Sequence, residues 1–225
     1  MRVAILGTGI VGRTIAARLL AKGHVVAVGT RNVENTLEVK GKGGPAFKEW
    51  YDEHAEIQLQ TFEVVTEAAD LIFNCTNGQA SVAVLEAIGK DRLDGKILID
   101  LANPLDFSAG MPPSLDPVNT YSLGEQIQDS FPKLKVVKSL NTMNAQLMLN
   151  PSQINGDHNV FVCGNDDEAK NKVKELLMSF GWRKDLIIDL GDISNSRGTE
   201  MILPVWLRLW AALGTVEFNF LIQTN

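Results

Sequence analysis

The segment that most limits this chain is Gly7-Thr8-Gly9-Ile10-Val11-Gly12, which follows Arg2-Val3-Ala4-Ile5-Leu6. The apolar run has β-strand length, and each glycine answers a separate geometric need. Gly7 permits a tight turn. Gly9 lets the backbone approach a pyrophosphate that a β-carbon would block. Gly12 lets the next helix pack closely on the strand. That helix is expected from Ile10 to about Lys22, with Val11, Ile15, Leu19 and Leu20 on one face. Its free N–H groups and positive dipole end suit a pyrophosphate, so Thr8, Ile10 and Val11 join the three glycines as candidate cofactor-binding residues. Gly23 ends the helix, and Val25 to Val28 read as a second strand. Strand, glycine turn, helix, glycine stop and strand within about thirty residues predict a doubly wound α/β fold, a Rossmann-type parallel sheet that binds a dinucleotide.

The second strand runs into Gly29-Thr30-Arg31-Asn32. A site for NAD usually places an Asp or Glu here to accept hydrogen bonds from the ribose 2′-hydroxyl. This chain offers a hydroxyl and a guanidinium instead, groups that match phosphate oxygens. Thr30 and Arg31 therefore predict NADP(H). Glu34 lies close by but is expected in the next helix. Lys40 and Lys42 either add positive field or are plain surface charge.

The 225 residues suffice for one large α/β domain, or for a domain with a modest appendage. A net charge of −6 with no basic run argues against a nucleic-acid partner. Cys75 and Cys163 are too few and too far apart for a disulfide framework or a metal knot. Both sit in apolar, strand-like runs, so buried thiols are expected and no metal site is assigned. The chain begins directly with a strand, leaving no room for a signal peptide, and a cytoplasmic location is expected. Met201 to Ile222 is apolar and long enough to span a bilayer. Pro204, Arg208 and Glu217 interrupt it, and a mid-span charge is costly in lipid. The run reads as a buried or dimer-forming helix, with no membrane association.

Strand and helix patterns alternate along the chain, which predicts a parallel sheet with helices on both faces. Further strands are expected at 58–62, 71–76, 96–100 and 136–140, and Gly41-Lys42-Gly43-Gly44-Pro45 reads as a loop near the adenosine end. Residues 1–150 are expected to form the NADP-binding domain. Residues 151–225 form a smaller C-terminal α/β part packed directly on it. That part opens with a strand at Phe161 to Gly164 and continues with a helix that Asp166 caps. A strand at Leu186 to Leu190 and a long final helix, capped by Ser194 or Ser196, complete it.

In doubly wound sheets, ligands bind beyond the carboxyl ends of the strands. Thr76-Asn77-Gly78-Gln79 and Asn103-Pro104-Leu105 follow two such strands. Thr76, Asn77 and Asn103 are candidates to fix the nicotinamide ribose and carboxamide; the alternative is that they satisfy turn chemistry only. Asn141-Thr142-Met143-Asn144 follows the sixth strand, where a redox acceptor should meet the nicotinamide. Met143 is either core filler or cofactor wall. His24, His54 and His158 do not cluster with acids, and each is expected at the surface or in a turn. No catalytic acid or base is assigned. Carbonyl reduction normally needs a proton donor near the new alkoxide, whereas hydride transfer to a flavin-like ring mainly needs two rings stacked at the right distance.

Four stretches extend this reading: Met1-Arg2-Val3-Ala4-Ile5-Leu6-Gly7-Thr8-Gly9, Gly29-Thr30-Arg31, Cys163-Gly164-Asn165-Asp166-Asp167-Glu168 and Ser194-Asn195-Ser196-Arg197. In these the chain resembles the NADP oxidoreductases that depend on the deazaflavin coenzyme F420. In Gly95-Lys96-Ile97-Leu98-Ile99-Asp100 and Val136-Val137-Lys138 it is similar to the NADPH-binding domain of six-transmembrane metalloreductases. The resemblance spans nearly the whole chain and implies hydride transfer between NADP(H) and an F420 or flavin acceptor. It carries the 2′-phosphate onto Thr30 and Arg31, and the pyrophosphate onto Thr8 to Gly12. It implies that Asn141, Thr142, Met143 and the run from Ser194 to Arg197, with Ser196, line the acceptor pocket. It also implies a homodimer through the last helix. The F420 enzymes carry His where this chain has Asn141, which leaves the small-molecule acceptor open. Ser194 to Arg197 reads equally as a helix cap with a salt-bridged arginine. Two other functions stay open: a reductase of a small carbonyl or imine, and a non-catalytic NADPH sensor.

Overall fold

Short apolar runs ending in glycine or polar residues alternate with amphipathic helices, and a computed structural model shows how they assemble over residues 1–38 and 46–224. The Gly41 to Pro45 loop, with Lys40 and Lys42, lies outside the described residues. The chain opens with β1 (Arg2–Leu6), α1 (Ile10–Ala21), β2 (Val25–Thr30), α2 (Val33–Glu38) and α3 (Phe47–Asp52). Next come β3 (Gln58–Thr61), α4 (Phe62–Glu67), β4 (Leu71–Asn74), α5 (Gly78–Ile88), α6 (Lys90–Leu93) and β5 (Ile97–Asp100). A small hairpin of β6 (Leu105–Asp106) and β7 (Ser114–Leu115) precedes α7 (Leu123–Ser130), β8 (Lys135–Ser139) and α8 (Ala145–Met148). The last elements are β9 (Val160–Gly164), α9 (Asp167–Phe180), β10 (Ile187–Asp189) and α10 (Ser196–Leu213).

The eight long strands form one sheet in the order β3-β2-β1-β4-β5-β8-β9-β10. Its first six strands are parallel, the order of a doubly wound nucleotide-binding fold. Strand alternation sends Ile5, Phe73, Ile99 and Val137 into a core under α1, α3, α8 and α9. It sends Ala4, Leu6, Ile72, Leu98 and Val136 into a second core under α4, α5 and α7. Both faces are covered, so these strands carry almost no polar side chains before their carboxyl ends.

The sheet departs from the expected parallel arrangement at one junction. β9 runs antiparallel to β8, with Val137 opposite Gly164 and Ser139 opposite Val162, and β10 is parallel to β9. Only the short α8 and a 3-10 turn at Pro151–Gln153 lie between β8 and β9. A parallel return needs a crossover along the whole sheet; this connection stays at one edge, so the chain re-enters in the opposite sense. The strands of residues 151–225 thus continue the same sheet, and Val160, Val162 and the buried face of α9 belong to the core that holds β1 and β5.

The apolar run from Met201 to Ile222 is not one helix. Gly214 adopts the left-handed conformation at φ 68 and stops α10 at Leu213. The chain beyond it lies against the segment before β9. Asn159 N donates to the Phe220 carbonyl at 2.8 Å, Ile222 N donates to Asn159 Oδ1 at 2.6 Å, and Phe218 stacks on Trp206. Among the described residues no helix is long and apolar enough to cross a membrane.

Candidate functional site

A cleft of about 450 Å³ opens where β1, β2 and β4 end. Its floor is the turn after β1. Gly7 has φ 119, and a β-carbon there would stand 2.6 Å from the Cys75 carbonyl oxygen, so only glycine lets β1 turn beside β4. A β-carbon on Gly9 would meet nothing within 4 Å, so the space above this turn is open to a ligand. Gly9 is also the N-cap of α1, which has no side-chain cap and no acid in its first turn. Its leading N–H groups point at the site unopposed, as phosphate binding requires. Thr8 lines the cleft beside these glycines.

At the other wall, Thr30 and Arg31 close β2. The Thr30 hydroxyl is buried and lies 2.7 Å from Thr36 Oγ1, on the first turns of α2. Arg31 is exposed, and it is the only charged side chain among the described residues lining the cleft. Glu34 sits on α2 and is exposed. Thr36 is a lining residue that the sequence reading missed. It follows Arg31 by five positions, and only the turn into α2, held by Asn32 Oδ1 accepting from Asn35 N at 2.8 Å, brings it back to the strand.

Thr76 and Asn77 line the third side, where β4 runs into α5. Asn77 caps α5, its Oδ1 accepting from Gln79 N at 3.0 Å. Thr76 Oγ1 donates to Asn74 Oδ1 at 2.7 Å and so enters a buried network. Asn74 Nδ2 donates to Asp100 Oδ1 at 2.8 Å. Asp100 Oδ2 and Glu200 Oε1 each lie 2.8 Å from Lys138 Nζ, which also donates to the Ala102 carbonyl. All three charged side chains are almost fully buried. Glu200 accepts in addition from Leu123 N at 3.0 Å and Gly124 N at 3.1 Å, so a carboxylate of α10 caps α7. Burial alone would depress the Lys138 ammonium, but the carboxylates of Asp100 and Glu200 outweigh it and hold it above the ordinary lysine range.

Asn103 and Asn141 pair beyond β5 and β8. Asn103 Nδ2 donates to the Asn141 carbonyl at 2.9 Å, and Asn141 Nδ2 donates to Asn103 Oδ1 at 3.0 Å. Glycine at position 78 permits this pair to abut α5, because a β-carbon there would lie 2.1 Å from the Asn103 carbonyl oxygen.

The chain is similar to several known proteins. A family model described as "NADP oxidoreductase coenzyme F420-dependent" matches residues 2–104. An F420-dependent NADP reductase of Methanocaldococcus jannaschii is 31% identical over 215 residues, covering 93% of this chain and 92% of that protein. The chain belongs to the F420-dependent NADP oxidoreductase family. It is an NADP-dependent oxidoreductase. A crystal structure from Arthrobacter sp. FB24, described as a candidate F420-dependent NADP-reductase, superimposes with a TM-score of 0.96 at 55% identity and full coverage of both chains. The metalloreductase STEAP3 of Rattus norvegicus is 28% identical over 209 residues, which is 91% of this chain and 38% of that protein. The chain therefore spans well under half the length of that relative.

Within this family frame, several residues singled out in the sequence sit away from the cleft surface. Val11 packs against the core, and Gly12 is buried, its Cα where a β-carbon would meet the Gly7 carbonyl oxygen at 2.3 Å. Ile10 is exposed and lines a separate groove beside α3 and α8. Met143 belongs to the core, and Thr142 is buried beside it. Ser196 neither caps α10 nor faces solvent. It is fully buried, donating to the Ile193 carbonyl 2.5 Å away, and its hydroxyl lies 2.7 Å from that of Ser122. Neither candidate serine caps the helix: Asp192 caps the 3-10 turn that leads into it. Arg197 grips Glu125 through two nitrogens, so this run ties α10 to α7. His158 lies in a loop, one of the two positions expected, but it is buried there. Its Nε2 donates to the Pro151 carbonyl, and its Nδ1 accepts from Asn219.

Nothing in the cleft supplies a nucleophile. Burial, reinforced by the Asp100 charge, pushes the Cys75 thiol far above its ordinary range, and burial pushes Cys163 up to about 12. Among the described residues no group of three or more His, Cys, Asp and Glu side chains forms a metal site.

The buried charges make a definite demand. Lys138→Met leaves two carboxylates unpaired and is expected to lower stability by about 3–5 kcal/mol at neutral pH, read as a fall in the urea midpoint. Because the folded lysine titrates above its unfolded value of about 10.4, its contribution is complete below that pH and fades as pH rises through the folded value. The difference between variant and wild type should narrow above that point.

Proposed function

We propose that the protein transfers hydride between NADP(H) and a tricyclic ring of the F420 class. The observation that carries the NADP(H) half is Arg31, the single charged group described along a cleft otherwise lined by glycine backbone, hydroxyls, the Cys75 thiol, the Asn77 amide and apolar side chains. Thr30 and Arg31 hold the 2′-phosphate, and the turn from Gly7 to Gly12 with the amino end of α1 holds the pyrophosphate. Thr76, Asn77 and Asn103 stand at the nicotinamide end. Bound NADPH supplies the hydride. The residues of the chain supply binding and alignment, since among the described residues the cleft presents no carboxylic acid or histidine, and burial pushes the Cys75 thiol too far above its ordinary range to give up its proton readily.

The acceptor reading is supported by the two F420-dependent relatives named above. The likeness to the metalloreductase, and Asn141 at a position where F420 enzymes carry His, favour a flavin as the second choice. The same reading makes the protein a cytoplasmic homodimer. Met201, Val205, Trp210 and Leu213 on α10 are all exposed, and a second copy of α10 is the partner they suit.

Three outcomes follow. Anaerobic mixing with NADPH and F420, then with a flavin, should bleach the nicotinamide absorbance with F420 fastest; no oxidation by either ring refutes the enzymatic reading. Arg31→Ala should weaken NADPH by about 10- to 100-fold, the worth of a hydrogen bond to a charged group, and leave NADH nearly unchanged; equal losses would remove the phosphate from Arg31. Light scattering should give twice the chain mass, and Val205→Glu should halve it.

A further inference from the structure

The orientation of the two paired amides follows from what each partner can do. The Asn141 carbonyl only accepts, so the Asn103 nitrogen must face it. The Asn103 oxygen then faces the Asn141 side chain, which must present its own nitrogen. Asn141 Oδ1 is what remains: a buried acceptor with no partner among the described residues, on a residue only 3% exposed. One residue earlier, Leu140 has φ 64 while its side chain is buried in the core. Among the described residues only Asn119 shares that left-handed conformation without being glycine, and Asn tolerates it where Leu does not. A strained backbone and an unpaired buried acceptor thus coincide at the carboxyl end of β8. Each is unfavourable for the fold by itself, and their coincidence is the pattern of a ligand contact.

An amide oxygen can only accept, so the ligand group must carry an N–H or O–H. We propose that Asn141 Oδ1 receives the carboxamide N–H of the nicotinamide, and that Asn103 is a positioning residue that holds the amide in that sense. The proposal rests on the NADP(H) reading above. The carboxamide is preferred to the imide N–H of a tricyclic acceptor because Asn103 abuts Gly78, next to the Asn77 that lines the cofactor cleft.

The test is to titrate the full chain and Asn141→Leu with NADPH and with 2′-phospho-ADP-ribose, which keeps both riboses and lacks the nicotinamide. The variant should bind NADPH about tenfold more weakly, the worth of one buried hydrogen bond. It should bind 2′-phospho-ADP-ribose within twofold of wild type. Its thermal midpoint should stay close to that of wild type, because the unpaired Asn141 acceptor goes together with the bond that Asn141 Nδ2 gives to Asn103 Oδ1. Wild type should likewise bind the 3-acetylpyridine analogue of NADPH, which has no carboxamide N–H, more weakly than NADPH; this needs no variant to fold. Asn103→Ala should weaken NADPH in the wild-type background and add nothing in the Asn141→Leu background, an outcome a merely structural role would not give. Equal loss for both nucleotides overturns the contact. So does unaltered NADPH binding, including the case where only the KM for the tricyclic acceptor rises. If wild type binds neither nucleotide, the NADP(H) reading falls instead.

Discussion

Lys138 is the point on which the carboxyl edge of the sheet depends. Its ammonium joins Asp100 at the end of β5, Glu200 on α10 and the Ala102 carbonyl, so all three of its protons are used in a space closed to water. One cation between two anions leaves the cluster with an excess negative charge. The amino end of α7 offsets it, since two of its leading N–H groups point at Glu200. A buried ion group of this kind is poor evidence for extra stability, because desolvation offsets most of the attraction. What it does enforce is register. Only one placement of α10 and α7 against β5 and β8 satisfies every donor and acceptor, and any other leaves a bare charge in the core.

The same cluster reaches the cofactor cleft. Asp100 holds Asn74, Asn74 accepts from Thr76, and Thr76 lines the cleft. The sheet edge proposed to receive the nucleotide and the helix that presents an apolar face to solvent are therefore parts of one hydrogen-bonded assembly. The charge of Asp100 also bears on Cys75 and helps keep that thiol protonated. On the reading proposed above, a site arranged in this way aligns the rings and does not trade protons. That suits a reaction in which the moving group comes from the cofactor and both ends of its path are rings.

Much of this was legible in the sequence because it is local. The strand-turn-helix unit from Arg2 to Thr30 follows from glycine geometry and from apolar spacing that neighbouring residues fix among themselves. Asp166 capping α9 is local for the same reason, whereas the start of α5 at Gly78, capped by Asn77, comes earlier than the loop expected there. The features that escaped are long-range. Asp100 ends one strand and Lys138 lies inside another, and nothing in either strand points to their third partner, which comes from a helix 62 residues beyond Lys138. The reversal of β9 depends on the short path of the connection, not on the strand's own residues, which read the same in either direction. The apolar run at the C-terminus carried a helical signal through Gly214, and the stop came from one backbone conformation. The two-residue strands β6 and β7 are too short to show a period.

The reversal of β9 changes what kind of chain lies along the binding edge. From β3 to β8 that edge is made of strand exits, and all of them except that of β5, which runs through the β6–β7 hairpin, lead within a few residues into a helix. Beyond β8 the edge is made of strand entries, reached through residues 150–159, which carry one 3-10 turn and no full helix. An exit that leads straight into a helix cannot be lengthened without moving that helix, but an entry can, because β9 pairs with β8 whatever path leads to it. The fold therefore sets the side proposed for the nucleotide, where helices follow the strands closely, beside a margin where the chain can lengthen without disturbing the glycine turn or the buried charges.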